Sequence, residues 1–384
     1  MKVLMVSGNP YLASTTRPLD AIVETLGGRT LAPHFIFTRP GPWPDELAGR
    51  CYPVTVRQLN WPSKRSALSS GWSISWLVSY LLRHRIDFIH CNEHEHYPAV
   101  RHAAYLTGTP VLVSLHYNLE GGFARWAFAS PYSPRILQFL SYAQWQLSKA
   151  ELPNCLGPNA VYITGSGLCV AKLRSCSIGR DFRKELGIDK RTIVIGTAGA
   201  IRPRKCMEDF IRLISNLRQQ ARPVIGLIAG GGNSLEKHYK TMLDALIQEL
   251  NLQDACRFVG FVYPCTDFYK AIDLYVHTSK MEIFCMSLCE AQAMGVPSLA
   301  YDVGGNREAV PDSECLVPLG AIEELTSRVE RLIRDKELRR YRSRLAQEFV
   351  ETHLDAPVFA RKMQTLYSLM CERKPVLVGM TRSS

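Results

Sequence analysis

Short apolar, β-branched runs alternate along this chain with longer segments whose apolar residues recur every three or four positions. That is the pattern of parallel strands wrapped by helices. In the first half it predicts strands at Lys2–Val6, Phe35–Thr38, Val54–Leu59, Asp87–His90 and Pro110–Leu115. Helices are predicted there at Pro18–Leu26, Trp72–Arg83, Tyr97–Leu106 and Pro134–Lys149. In the second half strands are predicted at Thr192–Ala198, Val224–Ala229, Cys256–Val259, Leu274–His277, Ser298–Tyr301 and Cys315–Val317. Helices follow at Met207–Arg218, Leu235–Leu250, Met286–Met294, Glu323–Arg334 and Asp355–Cys371. Each half reads as its own α/β layer structure. The 384 residues exceed what one core normally holds, so two domains are expected. The alternation lapses between Ala171 and Arg183. The expected division is residues 1–175, residues 176–356, and a last segment 357–384 whose helix crosses back to the first domain.

Three prolines mark Arg39–Pro44 as a stiff surface loop, and the tail after Lys374 lacks caps and periodicity. The apolar run at the start, Lys2–Val6, is too short for a signal peptide, and no stretch is long enough to span a bilayer. Twelve cysteines contain no CxxC pair, which reads as reduced thiols. A cytoplasmic protein is expected. Residues 1–180 hold 17 Lys+Arg against 9 Asp+Glu, whereas 181–384 hold 29 against 26. The basic first half favours an anionic partner, either a membrane surface, a nucleic acid or a phosphorylated substrate.

There is no Walker A sequence, GxSxG elbow or HExxH. Neither Gly165-Ser166-Gly167 nor Gly230-Gly231-Gly232 continues into GxGxxG, which argues against a nicotinamide dehydrogenase. No DxD offers metal-chelating carboxylates. The segment richest in chemistry runs from Ser279 to Pro297. It follows a predicted strand and opens a helix that stops at Gly295. Glu282 falls before the helix and Glu290 about one turn inside it. The first helical N–H groups, near Phe284, Cys285, Met286 and Ser287, can bind an anion such as a phosphate. The competing reading makes both glutamates solvated helix residues and Phe284 a core residue.

This segment is similar to the E-x(7)-E signature of retaining glycosyltransferases of the family 4 (group 1) type. Gly196–Gly199 through Pro203-Arg204-Lys205, Arg257–Phe261 with Ala271–Leu274, and Ala300–Glu308 resemble that family in order and spacing. Asp87–His90 and Val113–His116 resemble it more loosely. The resemblance implies a GT-B fold, an α/β class with two Rossmann-like doubly wound domains facing across a cleft. It implies a metal-independent hexosyl- or N-acetylhexosaminyl-transferase using a UDP-, GDP- or ADP-sugar, and no cofactor. On it, Glu290 binds ribose hydroxyls, Glu282 the donor sugar's hydroxyls, and Lys205 neutralises the diphosphate. His116 lies beside the donor sugar, and Phe284, Cys285, Met286 and Gly8 border the donor. The family's arginine before the lysine is absent, since Gly199 and Ala200 stand there, and Arg202, or else Arg204, is expected to replace it. Cys206 and Cys285 stand where the family has glycines, and the N-terminal glycine pair is reduced to Gly8-Asn9.

Other readings stay open. His90-Cys91-Asn92-Glu93-His94-Glu95-His96 offers three imidazoles, a thiol and two carboxylates, and reads as a metal site, an acceptor contact or a polar loop. Trp72, Trp76 and Tyr80 form a stripe at helical spacing with Lys64, Arg65, Arg83 and Arg85 around it. That fits either a core face or peripheral contact with an anionic membrane's cytoplasmic face. Arg339–Arg344 reads as a solvated helix face, with no nucleic-acid module behind it. A nucleotide-sugar isomerase or hydrolase, or a non-catalytic binding module on the same scaffold, are the alternatives to a transferase.

Overall fold

The computed structural model describes residues 1–60, 67–120, 122–220, 223–231 and 237–372. Lys64, Arg65, Gly232, Leu235 and the tail after Lys374 lie outside the described residues. The chain divides into two compact units, Met1–Cys169 with Asp355–Ser384, and Val170–Leu354.

In the first unit, seven strands form one parallel sheet: β1 Lys2–Ser7, β2 Ala32–Phe37, β3 Val54–Val56, β4 Phe88–Cys91, β5 Val111–Leu115, β6 Ile136–Phe139 and β7 Val161–Ile163. Their order is β3-β2-β1-β4-β5-β6-β7, so the sheet winds outward in both directions from the β1/β4 junction. Strands such as Val111–Leu115 are buried throughout, as a sheet covered by helices on both faces requires. Leu77 and Leu81 from one helix and Val100 and Ala103 from the next pack with Leu4, Val6, Ile89 and Val113 of the sheet. The last helix, Ala356–Cys371, packs on the helix Arg17–Leu26. Its Tyr367 hydroxyl lies 2.7 Å from His90 Nδ1, and Lys362 Nζ donates to the Thr164 carbonyl at 3.1 Å.

Two expectations are corrected here. Pro134–Lys149 is not one helix. Ile136-Leu137-Gln138-Phe139 is a fully buried strand, and a helix starts only at Tyr142, capped by Ser141, whose side chain accepts from Gln144 N. A four-residue apolar run fits either element by periodicity, and the sheet's need for a sixth strand decided it. Pro42 and Pro44, expected in a loop, instead open the helix Pro42–Gly49. First-turn positions need no N–H, so proline is tolerated there. The buried Trp43 holds that turn against Phe35 and Phe37.

The aromatic stripe divides on the helix Ala67–His84. The Tyr80 hydroxyl meets His34 Nδ1 at 3.1 Å, and the Arg57 guanidinium lies 4.5 Å above the Trp76 ring. Trp72 and Leu68 stay 76% and 84% exposed. Among the described residues no helix is long and apolar enough to cross a membrane.

The second unit holds a six-stranded parallel sheet of β8 Ile193–Ala198, β9 Val224–Ala229, β10 Cys256–Gly260, β11 Leu274–His277, β12 Ser298–Tyr301 and β13 Leu316–Val317. The order is β10-β9-β8-β11-β12-β13, with the winding reversed between β8 and β11. Gly230 ends β9 so close to the β8 loop that a Cβ there would stand 1.8 Å from the Gly199 carbonyl oxygen. Only glycine fits that approach.

Candidate active site

Ligands of open parallel sheets bind beyond the carboxyl ends of the strands, where the winding reverses. In the second unit that place lies between the loops after β8 and β11. The two loops are stitched together: Thr278 Oγ1 donates to the Lys205 carbonyl at 3.1 Å, and Ser279 Oγ and Lys280 N both donate to the Arg204 carbonyl at 3.0 Å. A third loop, after β12, closes on the same point. Gly305 N donates to the Glu282 carbonyl at 3.0 Å, and Gly304, at φ +49°, would place a Cβ 2.0 Å from that oxygen.

Glu282 is the focus of these loops. Its Oε1 accepts from Lys205 Nζ at 2.6 Å, from His277 Nε2 at 3.0 Å and from Arg204 Nη1 at 3.3 Å. Burial opposes its charge, but Lys205, His277 and Arg204 outweigh burial and hold the carboxyl well below its usual range. Burial likewise opposes charge on His277, yet Cys285 and Glu282 raise it above the ordinary imidazole value. The Cys285 thiol, which burial alone would push up, is lowered by His277 and Lys205.

From Met286 to Ala293 the chain is helical, with Cys285 at the N-cap. Its first-turn N–H groups have no acceptor within the helix. Phe284, Cys285 and Met286 are buried around this end. Glu290, one turn in, accepts from the Tyr269 hydroxyl at 3.0 Å. The Tyr275 hydroxyl donates to Ser287 Oγ at 2.8 Å and receives Ala198 N at 3.3 Å, which ties the helix start to the end of β8. Lys205 precedes the helix Met207–Gln219, and Cys206 between them takes a left-handed φ of +45°. Of the two candidate arginines, Arg204 reaches Glu282 and Arg202 is exposed. Sequence reading did not single out His277, Tyr269 or Tyr275. A histidine five residues before Glu282 at a strand end was the available signal.

The first unit has its own cluster where β1, β4 and β5 end. The Glu93 carboxylate accepts from Ser7 Oγ at 2.9 Å, Gly8 N at 3.1 Å and Asn92 Nδ2 at 2.9 Å. His116 Nε2 lies 3.2 Å from Asn92 Oδ1. Burial, with help from His94, presses His116 down to about 3, so it is a neutral hydrogen-bonding group. His96 lies over Gly8, where a Cβ would stand 2.2 Å from its Nε2. His94 is buried, and its Nδ1 has no hydrogen-bond partner. Of the His90–His96 run, His90 is taken up by the core. His90 is a core histidine held by the Tyr367 hydroxyl on one ring nitrogen and by Ser114 Oγ, 2.7 Å away, on the other. Among the described residues, the groups whose ligand atoms converge for a metal are His277, Glu282 and Cys285, and Asp20, Glu24 and Glu46. In the latter, Arg50 is bonded to Glu24 at 2.6 Å.

Burial raises Glu93 to about 7, against the hydrogen bonds from Gly8, Ser7 and Asn92 that favour its charge. A raised carboxyl contributes stability that is complete below its unfolded pKa near 4.5 and is lost as pH rises through about 7. The shift is worth up to about 3 kcal/mol. Glu93→Gln is therefore expected to gain stability relative to wild type between pH 5 and pH 8. Thermal melts of both proteins across that range check it, and a pH-independent difference would refute it.

Residues 179–349 match the family model for glycosyl transferases group 1. The match falls within the second unit and includes Lys205, Glu282 and Glu290. The D-inositol 3-phosphate glycosyltransferase of Gordonia bronchialis is 33% identical over 159 residues, covering 39% of this chain and 35% of the relative. That of Saccharomonospora viridis is 30% identical over 204 residues, covering 50% of this chain and 47% of the relative. The lipopolysaccharide core biosynthesis mannosyltransferase LpsB of Rhizobium meliloti is 32% identical over 129 residues, covering 33% and 36%. The chain thus matches about a third to a half of the length of these curated relatives. Among solved structures, Anabaena Alr3699/HepE in complex with UDP superposes with a TM-score of 0.81 at 20% identity, covering 96% of this chain and all of that one. WaaG, a glycosyltransferase involved in lipopolysaccharide biosynthesis, gives 0.67 at 15% identity over 95% of this chain and 99% of its own. The fold class is GT-B, with two parallel-sheet α/β units.

Proposed function

We propose that the protein is a retaining, metal-independent glycosyltransferase that moves a sugar from a nucleoside-diphosphate-sugar to a hydroxyl acceptor. The observation that carries this reading is the convergence of Lys205, Arg204 and His277 on one oxygen of Glu282, beside the start of the Met286–Ala293 helix. Cleaving the bond between the sugar's anomeric carbon and the phosphate oxygen builds negative charge on the diphosphate. Lys205, Arg204 and the helix's free N–H groups stabilise that charge where it develops, with no ion required. Because all three contacts fall on Oε1, Oε2 of Glu282 is the oxygen available to the donor sugar's hydroxyls. Glu290, oriented by Tyr269, takes the ribose hydroxyls. Same-face attack forms the new bond from the acceptor oxygen to the anomeric carbon as the phosphate bond breaks, and the acceptor proton passes to the departing phosphate oxygen. The UDP in the Anabaena neighbour's complex supports a uridine donor in particular.

Turnover with UDP-, GDP- and ADP-sugars, with and without EDTA, tests the reading. Slow donor hydrolysis unaffected or raised by EDTA is expected, with retained anomeric configuration in the transfer product by NMR. Loss of activity in EDTA would overturn metal independence, and no binding of any nucleotide would overturn the donor assignment.

A further inference from the structure

One arrangement in the second unit combines Glu282 with a thiol and an imidazole, a set of ligand types that sugar transfer does not require. One ring nitrogen of His277, one carboxylate oxygen of Glu282 and Sγ of Cys285 lie within 4.8 Å of one another. All three residues are more than nine-tenths buried. A tetrahedral zinc site, with Zn–N and Zn–O near 2.0–2.2 Å and Zn–S near 2.3 Å, sets its ligand atoms about 3.3–3.6 Å apart. His277 Nε2 and Glu282 Oε1 already stand 3.0 Å apart. Cys285 is placed by the helix cap and His277 by the end of β11, so two of the three ligands come from rigid elements. A thiolate, an imidazole and a carboxylate suit a soft or borderline ion such as Zn²⁺, whereas Mg²⁺ and Ca²⁺ prefer oxygen throughout.

We propose that His277, Glu282 and Cys285 form an inhibitory Zn²⁺ site, filled in competition with the nucleotide-sugar. The competitive part rests on the donor reading above. Binding displaces the Cys285 thiol proton and the Nε2 proton that His277 gives to Glu282; the latter moves to Nδ1 of a neutral ring or leaves a charged one, so each ion bound releases one proton with neutral His277 and two with charged His277, and water completes the tetrahedron. Lys205 Nζ holds the same Glu282 oxygen at 2.6 Å, so the ion must displace it. The ammonium is therefore a competitor for the carboxylate as well as the phosphate ligand. Removing it has opposite consequences for the two ligands, weakening donor binding and tightening metal binding.

Titration of the full-length protein with Co²⁺ reads the site directly through the thiolate-to-cobalt absorption band, and back-titration with Zn²⁺ measures zinc. With twelve cysteines in the chain, the informative quantity is the difference between wild type and variants. Cys285→Ser and His277→Gln should each lose one Co²⁺ equivalent while keeping the wild-type circular dichroism. Lys205→Ala should bind Co²⁺ roughly tenfold tighter or more, because a like charge has left. UDP-glucose should displace the ion from wild type. An absorption band and affinity unchanged by Cys285→Ser, or a Lys205→Ala variant that binds the ion more weakly, would overturn the site. Ion binding that depends on Cys285 but ignores UDP-glucose would support the site and count against the donor reading.

Discussion

Lys205→Ala should weaken binding of the nucleotide-sugar and slow turnover by about 10²–10³-fold, the cost of deleting one pre-placed donor to a developing oxyanion. The reason is positional. Lys205 is fixed by the short turn Pro203–Lys205, and its carbonyl is gripped by Thr278, so the ammonium is delivered to Glu282 with little freedom left to lose. The fold should survive. Deleting one member of a buried ion pair is most damaging when it strands the other, but Glu282 retains His277 at 3.0 Å and Arg204 at 3.3 Å. Calorimetry with the nucleoside diphosphate and a thermal melt, run on the same variant, separate the two effects. Unchanged nucleotide affinity would remove Lys205 from the site. Lys205→Arg keeps the charge on a different geometry and should restore affinity better than rate, since a bulkier fork cannot reoccupy the 2.6 Å contact in the same place.

Glu290→Ala is expected to cost about 10–150-fold in nucleotide affinity, the range for a lost hydrogen bond to a charged group of 1.5–3 kcal/mol. The Tyr269 hydroxyl keeps the Ser287 carbonyl, 3.3 Å away, as an acceptor when Glu290 is removed, so little of the effect should come from a stranded polar group. The sharper test is a cycle with a ligand lacking the ribose hydroxyls. Wild type should prefer UDP to its dideoxy analogue, and Glu290→Ala should show no preference, because the two changes delete the same contact. A preference that persists in the variant would assign Glu290 to something other than ribose.

Much of the second unit could be read from local sequence. Glu282 and Glu290 lie on one strand-loop-helix connection, and Lys205 closes a strand-turn-helix passage of the same kind, so neighbours in sequence are neighbours in space. The helix starting at Met286 follows from an apolar run of helical length bounded by Gly295. The first unit was less legible where local cues conflicted. Ile136–Phe139 is too short for periodicity to separate strand from helix, and prolines that read as breakers at 42 and 44 occupy positions where a helix has no use for their missing N–H.

What sequence alone determined is therefore the α/β class with its parallel strands and the ionisable residues on the loops after β8 and β11, because each depends on the order of elements along the chain. Only the tertiary structure decided which of those groups share an atom. Lys205 and Glu282 are separated by 77 residues and meet because β8 and β11 are adjacent in the sheet although two other strands intervene in sequence. The same holds for Glu93 and Gly8, 85 residues apart at the junction of β1 and β4. Adjacency in a parallel sheet is set by crossover packing summed over many residues, and no local window contains it. That is also why the convergence of Arg204, His277 and Cys285 around Glu282 could be stated only once the loops had closed.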